Sequence, residues 1–372
     1  MEPNFSIRLY EEGDEDGIIE LFDRVFKGWP KIDLKVSKRD HWMWKYLGNP
    51  VGKSIIHVAV KDGKIIGSNN TIPRMTKFGG SQVLTAIGTD LSVDAEYRHM
   101  GIRNSLREKS FELKTLRGIY FVTLITGNQI LIESYQREKL PRFPHPIVAL
   151  ARIHDIDLHL KAMPVDDPWI KKAGFQTLKV VNRFGRSLQY RAAGEVKVRD
   201  ISSFDTRIDA FWNDVSPYYD FIDVRNMSYL NWRHSDPRSG GFIIKQAEEG
   251  DRVLGYIVLR INRYIKEYPI GYIVDLLAHP KRPDAADALI GAAVDYFDSD
   301  NVNTVNTIVV KGNSLENAFS RFGFLDSRIR LQVFFRPHFS DVVEKLPSFS
   351  AQRSHFSWGD HDSLPLSTSR DI

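Results

Sequence analysis

Two periodicities of hydrophobic and polar positions, one typical of strands and one typical of helices, alternate along the chain. They alternate in the same order in both halves. Apolar runs with strand character are followed by stretches in which apolar residues recur every three or four positions, as in an amphipathic helix. The most extended strand-like run of the first half covers Val83–Val93, and that of the second half covers Ile270–Ala278. This alternation predicts an α/β (α+β) fold of two units, each with a mixed, mostly antiparallel sheet flanked by helices.

The predicted elements come in the same order in both halves. Charged, glycine-containing turns between short apolar runs indicate a hairpin after the second helical stretch of each half. In the first half we predict strand Ile7–Tyr10, helix Asp14–Phe26, strands Ile55–Val60 and Val83–Val93, helix Ile102–Thr115 and strand Tyr120–Ile125. In the second half we predict strand Val196–Arg199, helix Phe204–Asn213, strands Phe242–Ile244 and Ile270–Ala278, helix Asp284–Phe297 and strand Thr304–Val309.

Single residues repeat as well as patterns. The landmarks are a tryptophan before the hairpin, a glycine within it, an aspartate in the long strand and an asparagine before the last helix. The pairs are Trp44 and Trp232, Gly67 and Gly255, Asp90 and Asp275, and Asn128 and Asn313, separated by 188, 188, 185 and 185 residues. Four landmarks at nearly one separation predict two copies of one unit.

The repeat divides the chain into four ranges. We predict an N-terminal domain over residues 1–145, a connecting segment over 146–194, a C-terminal domain over 195–337 and a tail over 338–372. The connecting segment is too apolar for a flexible linker. Within it we expect helices at Asp155–Leu160 and Trp169–Ala173 and strands within Leu178–Tyr190.

The tail carries aromatic residues that are costly to leave in water. Phe349, Phe356 and Trp358 therefore predict that the tail docks on the protein. A metal site is the alternative for its clustered histidines and aspartates, but these lie on a glycine-containing loop without helical ligand spacing, so we expect no metal. The clustered residues are His355, Asp360, His361 and Asp362.

Composition limits the class of protein. Of the 372 residues, 42% are hydrophobic and 26% are charged, and the net charge is +4. This is the mix of a globular protein, and its small basic excess suits a polyanionic small ligand better than a nucleic acid. The chain has no cysteine, which excludes disulfides and thiolate catalysis, and we expect a cytoplasmic protein. Because no apolar signal core or membrane-length run occurs, we expect no membrane association.

The stretch from Asp90 to Leu106 has the pattern of a strand, a polar turn and a helix. A helix start leaves about four N–H groups without intrahelical partners and carries partial positive charge. With Gly101 in the turn and Arg98 and Arg103 beside it, the segment suits a diphosphate, although an ordinary glycine-containing turn would show the same pattern. It lacks the Gly-Lys-Ser/Thr of a Walker loop and the three glycines of a dinucleotide fingerprint.

The residues Tyr97-Arg98-His99-Met100-Gly101-Ile102-Arg103 resemble the Arg/Gln-x-x-Gly-x-Gly/Ala signature of the GNAT acyltransferase superfamily. Arg98 and Gly101 match the first and fourth positions, and Arg103 departs from the expected small residue. The whole chain is similar to a tandem of two such domains. The resemblance implies an acetyl-CoA site formed by the backbone of Leu91, Ser92, Val93, Arg98, His99, Met100, Gly101, Ile102 and Arg103, with Asn128 beside it.

The corresponding turn of the second half differs. It reads His279-Pro280-Lys281-Arg282-Pro283, without a glycine and with two residues that have no N–H group. We therefore expect that only the first copy binds acetyl-CoA; the alternative is that both copies bind it through different contacts.

Acyl transfer from a thioester to an amine requires a neutral amine, a held oxyanion and a proton for the departing thiolate. The family's final helix often carries a tyrosine that gives this proton, and Tyr135 is in that place in the first copy. Phe319 takes the place in the second copy. A tyrosine packed on a helix face is the alternative for Tyr135. For the base, Asp90, Glu96 and Glu133 are candidates, and we favour Glu96.

These residues predict an N-acyltransferase that moves an acetyl or other acyl group from acetyl-CoA to a primary amine by direct attack. The acceptor would be a small molecule, an amino sugar or a peptide. The alternative is a non-catalytic protein that uses the same fold to bind a ligand or partner. A third hypothesis, an aminoacyl transferase of the peptidoglycan-bridge type, is disfavoured because no long charged helical insert is present.

Overall fold

The computed structural model describes residues 5–154, 196–300, 302–361 and 364. The helices and strands predicted within 155–195 lie outside these residues. By its internal contacts the chain divides into two compact units. The first unit comprises Met1–Pro144, Ser228–Gly241 and Val333–Phe349, and the second comprises His145–Met227, Phe242–Gln332 and Ser350–Ile372.

Most predicted elements are present with ends shifted by at most three residues, except that the strand predicted at Phe242–Ile244 continues to Glu249. The strands are β1 (Ser6–Leu9), β2 (Ile55–Lys61), β3 (Lys64–Phe78), β4 (Ser81–Val93), β5 (Phe121–Thr126), β6 (Ile147–Ile153), β7 (Lys197–Ile201), β8 (Phe221–Asp223), β9 (Ile243–Glu249), β10 (Arg252–Asn262), β11 (Ile270–Ala278), β12 (Thr304–Val310) and β13 (Leu325–Pro337). The helices are α1 (Glu15–Phe26), α2 (Lys38–Leu47), α3 (Ile102–Leu116), α4 (Gln129–Arg137), α5 (Arg207–Val215), α6 (Met227–Leu230), α7 (Pro283–Ser299), α8 (Ser314–Arg321) and α9 (Asp341–Lys345).

The sheet of the first unit has the strand order β1-β2-β3-β4-β5, with the end of β13 beside β5. Its first four strands pair antiparallel, and β4 pairs parallel with β5. A core of isoleucines and aromatic rings fills the space between the sheet and the helices α1 and α2. A second cluster, which includes Ile102 and Leu106 of α3, covers the sheet elsewhere.

Two segments that are remote in sequence complete the first unit. The segment Ser228–Gly241 places Trp232 on Trp44, with ring centroids 5.2 Å apart. Each of these indoles donates to the other residue's carbonyl, at 2.7 and 3.1 Å. Phe349 packs edge-on against Phe78 at 5.0 Å. The first unit therefore contains two segments from beyond residue 145, so the units defined by contacts are not consecutive ranges of the chain. The ranges 1–145 and 195–337 stay a prediction for the two copies of the repeat.

The sheet of the second unit has the order β13-β6-β12-β11-β10-β9-β7. As in the first unit, the long strand pairs antiparallel with the hairpin, here β11 with β10, and parallel with the strand that follows the helix, here β12. Ile147–Ile153, which the sequence places in the connecting segment, forms β6 and pairs antiparallel with β12. No local turn signals this strand, because its partner lies about 150 residues further along the chain.

Candidate functional site

The loop between β4 and α3, here called the Gly101 turn (residues 94–101), has an unusual backbone. After a short 3-10 helix over Ala95–Tyr97, His99 and Gly101 both adopt left-handed conformations, with φ of 68° and 80°. Glycine takes such a conformation without strain. A β-carbon added at Gly101 would meet no atom within 4 Å, so the turn faces open space.

The N–H groups of this turn are unusually free. Within the described residues, the five consecutive amides from His99 to Arg103 donate to no protein acceptor. The next two, of Asn104 and Ser105, both donate to the carbonyl of Gly101, at 3.0 and 3.1 Å. No side chain caps the start of α3. Five free donors at a helix start form a site of positive potential for an anion.

The side chains of the predicted binding residues differ in their exposure to solvent. Arg98, His99 and Met100 are exposed, and Arg103 is half-buried. Ile102 is buried in the core, so only its backbone is available to a ligand. The arginine that departs from the family signature therefore lies on the helix directly after the free amides, where its charge adds to the field of the turn.

Strands β4 and β5 separate on the side that leads to the Gly101 turn. They pair only at Ala86 with Val122 and at Ile87 with Thr123, although β4 continues to Val93 and β5 to Thr126. The other edge of β4 remains paired with β3 as far as Val93. The edge of Leu91–Val93 toward β5 is thus outside the ladder and can accept an extended ligand. The hydroxyl of Ser92 is buried there and has no hydrogen-bond partner in the described chain.

Asp90 lies at an irregularity in β4 and is fixed by two side chains of α2. Its φ is 46°, and the register of β3 and β4 shifts beside it. Its carboxylate accepts from the Lys45 ammonium at 2.6 Å and from the hydroxyl of Tyr46. Both partners of the ion pair are largely buried. Asp90, one of the three candidate bases, is therefore engaged in positioning the strand end that carries Leu91–Val93.

Tyr135 lies on α4, half-buried and edge-on to Phe334 at 5.4 Å. Burial raises the pKa of its phenol, and the charges of Arg103 and Arg107 on α3 oppose this shift. Its hydroxyl has no hydrogen-bond partner within the described residues. The tyrosine is thus held by its ring against β13, within the electrostatic influence of the α3 arginines, and keeps its proton at neutral pH.

A carboxylate network holds α4 against α3. Glu138 accepts from Arg107 of α3 and from Arg336 of β13. Burial alone would raise the pKa of Glu138, but the hydrogen bonds from these two guanidinium groups lower it to about 2. Sequence analysis missed this network, because its third member lies 198 residues from the glutamate.

The remaining predicted residues are separate from this network. Glu96 is exposed on the 3-10 helix of the Gly101 turn, and its carboxylate has no partner within the described ranges. Glu133 accepts from Gln129 at 3.1 Å. Asn128 caps α4 by accepting from the amides of Ile130 and Leu131, at 3.0 and 3.3 Å. This cap explains why asparagine begins the helix, and it leaves the Asn128 side-chain nitrogen without a partner in the described chain.

The turn between β11 and α7, here called the Pro280 turn (residues 279–282), has the opposite character. Pro280 and Pro283 have no N–H group. The amide of Lys281 donates to the ring of His279 at 3.1 Å, and that of Arg282 donates to the His279 carbonyl at 2.8 Å. The His279 amide itself donates to Leu254. The donors that remain in this turn are therefore already satisfied.

The tail residues considered for a metal have other partners. His355 donates to the carbonyl of Leu276 at 3.0 Å, and Asp360 accepts from Arg225 at 2.6 Å. Asp362 lies outside the described residues. Across residues 5–154, 196–300, 302–361 and 364, no group of three potential ligands is arranged to hold a metal ion. The predicted docking of the tail is confirmed, since Phe349, Phe356 and Trp358 are buried.

Comparison with known proteins identifies the family of both halves of the chain. A model of the acetyltransferase (GNAT) domain matches residues 6–137, and a model of the acetyltransferase (GNAT) family matches residues 208–324. An uncharacterized N-acetyltransferase of Methanocaldococcus jannaschii is 27% identical over 139 residues, which are 36% of this chain and 59% of that protein. The chain thus spans about three fifths of the curated relative that it matches.

Solved structures with the same fold cover most of the chain. Saccharomyces cerevisiae N-myristoyltransferase with bound myristoyl-CoA and inhibitors superposes with a TM-score of 0.60, covering 91% of this chain and 81% of that one at 11% identity. Eis1 from Mycobacterium abscessus superposes with a TM-score of 0.52 at 15% identity, and the match covers 90% of this chain and 73% of the Eis1 chain. At these identities the likeness shows a shared fold.

The chain belongs to the GNAT superfamily, with two domains of that family in tandem. Together the two matches cover about two thirds of its length and confirm the predicted repeat and fold class. In the part of the chain that the structure describes, no helix combines the length and the apolar character needed to cross a bilayer.

Proposed function

We propose that the protein is an N-acyltransferase that transfers an acetyl group from acetyl-CoA to a primary amine, and that the first unit carries the reaction. The observation that carries the proposal is the run of five free amides from His99 to Arg103 at the start of α3. The family membership supports acyl-CoA as the donor, and N-myristoyltransferase, which shares the fold, is described with myristoyl-CoA bound.

The residues present fit this donor. A diphosphate offers several negatively charged oxygens, and the free amides together with the guanidinium groups of Arg98 and Arg103 offer matching donors and charge. The unpaired edge of Leu91–Val93 can accept the amide groups of a pantetheine arm, as one strand accepts another.

In the proposed reaction the acceptor nitrogen attacks the thioester carbonyl directly. A carbon–nitrogen bond forms, the carbon–sulfur bond breaks, and the sulfur leaves as a thiolate. Tyr135 gives this thiolate its proton, since a phenol with a raised pKa is fully protonated at neutral pH. Glu96 removes a proton from the amine, directly or through water, because its carboxylate is exposed and engages no cation in the described chain.

The proposal is tested by mixing the protein with acetyl-CoA and a panel of amines and following the release of free thiol. The panel contains amino sugars, amino acids and peptides with a free amino terminus, and it is repeated with longer acyl-CoA donors. We expect thiol release that depends on both the protein and one class of amine. Tight binding of acetyl-CoA without thiol release from any amine would instead support a non-catalytic binding protein of the same fold.

A further inference from the structure

The second unit has a groove that corresponds to the open edge of β4. Strands β11 and β12 pair only from Ile270 with Thr304 to Tyr272 with Asn306, and β11 then continues to Ala278. The repeat aligns Leu276 with Leu91. The open edge at Leu91–Val93 therefore corresponds to Leu276–Ala278, and Val274 corresponds to Thr89, which also lies beyond the last pair of β4 with β5.

The tail of the chain lies in this groove. The imidazole of His355 donates through Nε2 to the carbonyl of Leu276 at 3.0 Å. A β-carbon added at Gly359 would lie 3.5 Å from the carbonyl oxygen of Val274 and 3.5 Å from the Cβ of Asp275. The tail thus contacts β11 at Val274, Asp275 and Leu276, which correspond to Thr89, Asp90 and Leu91 of the first unit.

The asparagine that begins the last helix of the repeat also binds the tail. The side-chain nitrogen of Asn313 donates to the carbonyls of Ala351 and Ser354, at 3.1 and 3.2 Å. In the first unit, the matching nitrogen of Asn128 has no partner in the described chain. In the first unit, the strand edge of β4 and the Asn128 side-chain nitrogen at the start of α4 have no partner in the described chain. In the second unit, the tail contacts the corresponding strand and the corresponding asparagine nitrogen.

Charge and burial make the tail an integral part of this groove. Arg225, which is 1% exposed, donates to Asp275 at 3.0 Å and to Asp360 of the tail at 2.6 Å. Phe356 stacks on Phe221 at 4.9 Å, and Trp358 is 1% exposed. A buried arginine between two carboxylates ties the tail to the strand, since the loss of the arginine would leave both buried carboxylates uncompensated.

We propose that residues 350–361 are a built-in occupant of the second unit's groove and reach, at Leu276, the strand edge that corresponds to the one along which the pantetheine arm of an acyl-CoA is proposed to lie in the first unit. The docking contacts are independent of the proposed function, whereas the comparison with pantetheine rests on it. The proposal explains why this copy needs neither a glycine nor free amides in the Pro280 turn. It assigns to the chain a single acyl-CoA site, with the second groove closed by the protein itself.

Hydrogen exchange of the full chain, followed by mass spectrometry with and without saturating acetyl-CoA, tests the proposal. We expect peptides from residues 350–361 to be strongly protected and their protection to be unchanged by acetyl-CoA. Exposure of these peptides when acetyl-CoA is added would overturn the proposal, because the tail would then compete with the thioester donor. Fast exchange of the tail without ligand would overturn it as well.

A matched pair of variants separates docking from general instability. Gly359→Leu places a side chain against Val274 and Asp275, and Gly80→Leu adds the same side chain where nothing lies within 4 Å. We expect Gly359→Leu to speed exchange across residues 350–361 and tryptic cleavage after Arg353 by about tenfold or more, since both follow local opening. Gly80→Leu should leave both rates unchanged.

Acetyl-CoA binding by the same variants serves as the folding control. If Gly359→Leu keeps the acetyl-CoA affinity of the parent chain while its tail is released, the effect belongs to the second groove, as proposed. If neither variant changes the exchange of the tail, the contacts at Val274 and Leu276 do not hold it, and the proposal is wrong. If acetyl-CoA binding is absent even in the parent chain, the proposed function fails while the tail measurements still decide the docking.

Discussion

The two copies share a strand, a turn and a helix, and they treat the N–H groups of the turn in opposite ways. At the Gly101 turn and the start of α3, five consecutive amides have no acceptor in the described chain, whereas at the Pro280 turn and the start of α7 prolines remove two donors and three amides are hydrogen-bonded. The helices differ as well. The buried face of α7 is apolar, whereas that of α3 includes Ser110 and Lys114. A repeat can thus keep its fold while one copy retains an anion site and the other replaces it by internal bonds.

The largest effect is expected from the aspartate that the copies share. Asp275 binds Arg225, and both are 1% exposed, whereas Asp90 and Lys45 are 13% and 9% exposed. Asp275→Asn should lower the free energy of unfolding by about 3 kcal/mol, because it removes one of the two carboxylates that bind the buried Arg225 and weakens the hydrogen bond from the Tyr256 hydroxyl. Asp90→Asn should cost less. Urea unfolding of both variants measures the difference; equal losses would show that burial does not set the cost.

The second effect concerns the hydroxyl that only the first copy retains. Tyr135→Phe should reduce kcat about a hundredfold and leave KM for acetyl-CoA nearly unchanged, because a general acid acts on the leaving group and not on binding. Tyr264→Phe, which removes an exposed hydroxyl in the second unit, is the control. A Tyr135→Phe enzyme with full turnover would assign the tyrosine a packing role against Phe334.

The third prediction concerns Lys114 on the buried face of α3, because its replacement by an apolar residue makes that face more like the apolar buried face of α7. Burial lowers the pKa of the Lys114 ammonium to about 7, with Arg336 and Arg107 contributing, so the folded state binds fewer protons than the unfolded state between pH 7 and the usual lysine value. Lys114 therefore destabilises the fold most at and below neutral pH. Lys114→Met should raise the free energy of unfolding by about 2 kcal/mol at pH 7, and the gain should shrink as the pH rises toward 10. Urea unfolding across this range measures it, and a gain that does not depend on pH would contradict the assignment.

The smallest effect concerns the turn itself. Gly101→Val places a β-branched residue at a φ of 80°, and Gly79→Val does the same at a φ of 63° in the β3–β4 turn. Both variants should lose comparable stability. Only Gly101→Val should weaken acetyl-CoA binding, by about tenfold, because strain there displaces the free amides. Calorimetric titration compares the two, and equal affinities would separate the Gly101 turn from the donor site.

Local patterns predicted most of the fold. The spacing of Asp90 and Asp275 revealed the repeat, and the ends of β11 and the start of α3 agree with their predictions. The prolines in and after the Pro280 turn predicted a shortage of free N–H donors there. This prediction needs no knowledge of the fold, because the ring of proline replaces the backbone N–H hydrogen in any conformation.

What the sequence did not predict depends on contacts between distant segments. β6 pairs with β12 and β13, which are both remote from it in sequence, and the Glu138 network requires Arg336. The carboxylate of Asp90 has the same charge as that of Glu96, and only the position of Lys45 shows that the first is engaged. Tyr135 could be placed near the turn from the repeat, but the arginines around it come from two other elements.

The most direct test of the central claim is a crystal structure of the full chain with CoA. The account predicts that the diphosphate accepts hydrogen bonds from the amides between His99 and Arg103, and that the tail remains in the groove beside Leu276. A diphosphate bound elsewhere, or held at the Pro280 turn, would contradict it.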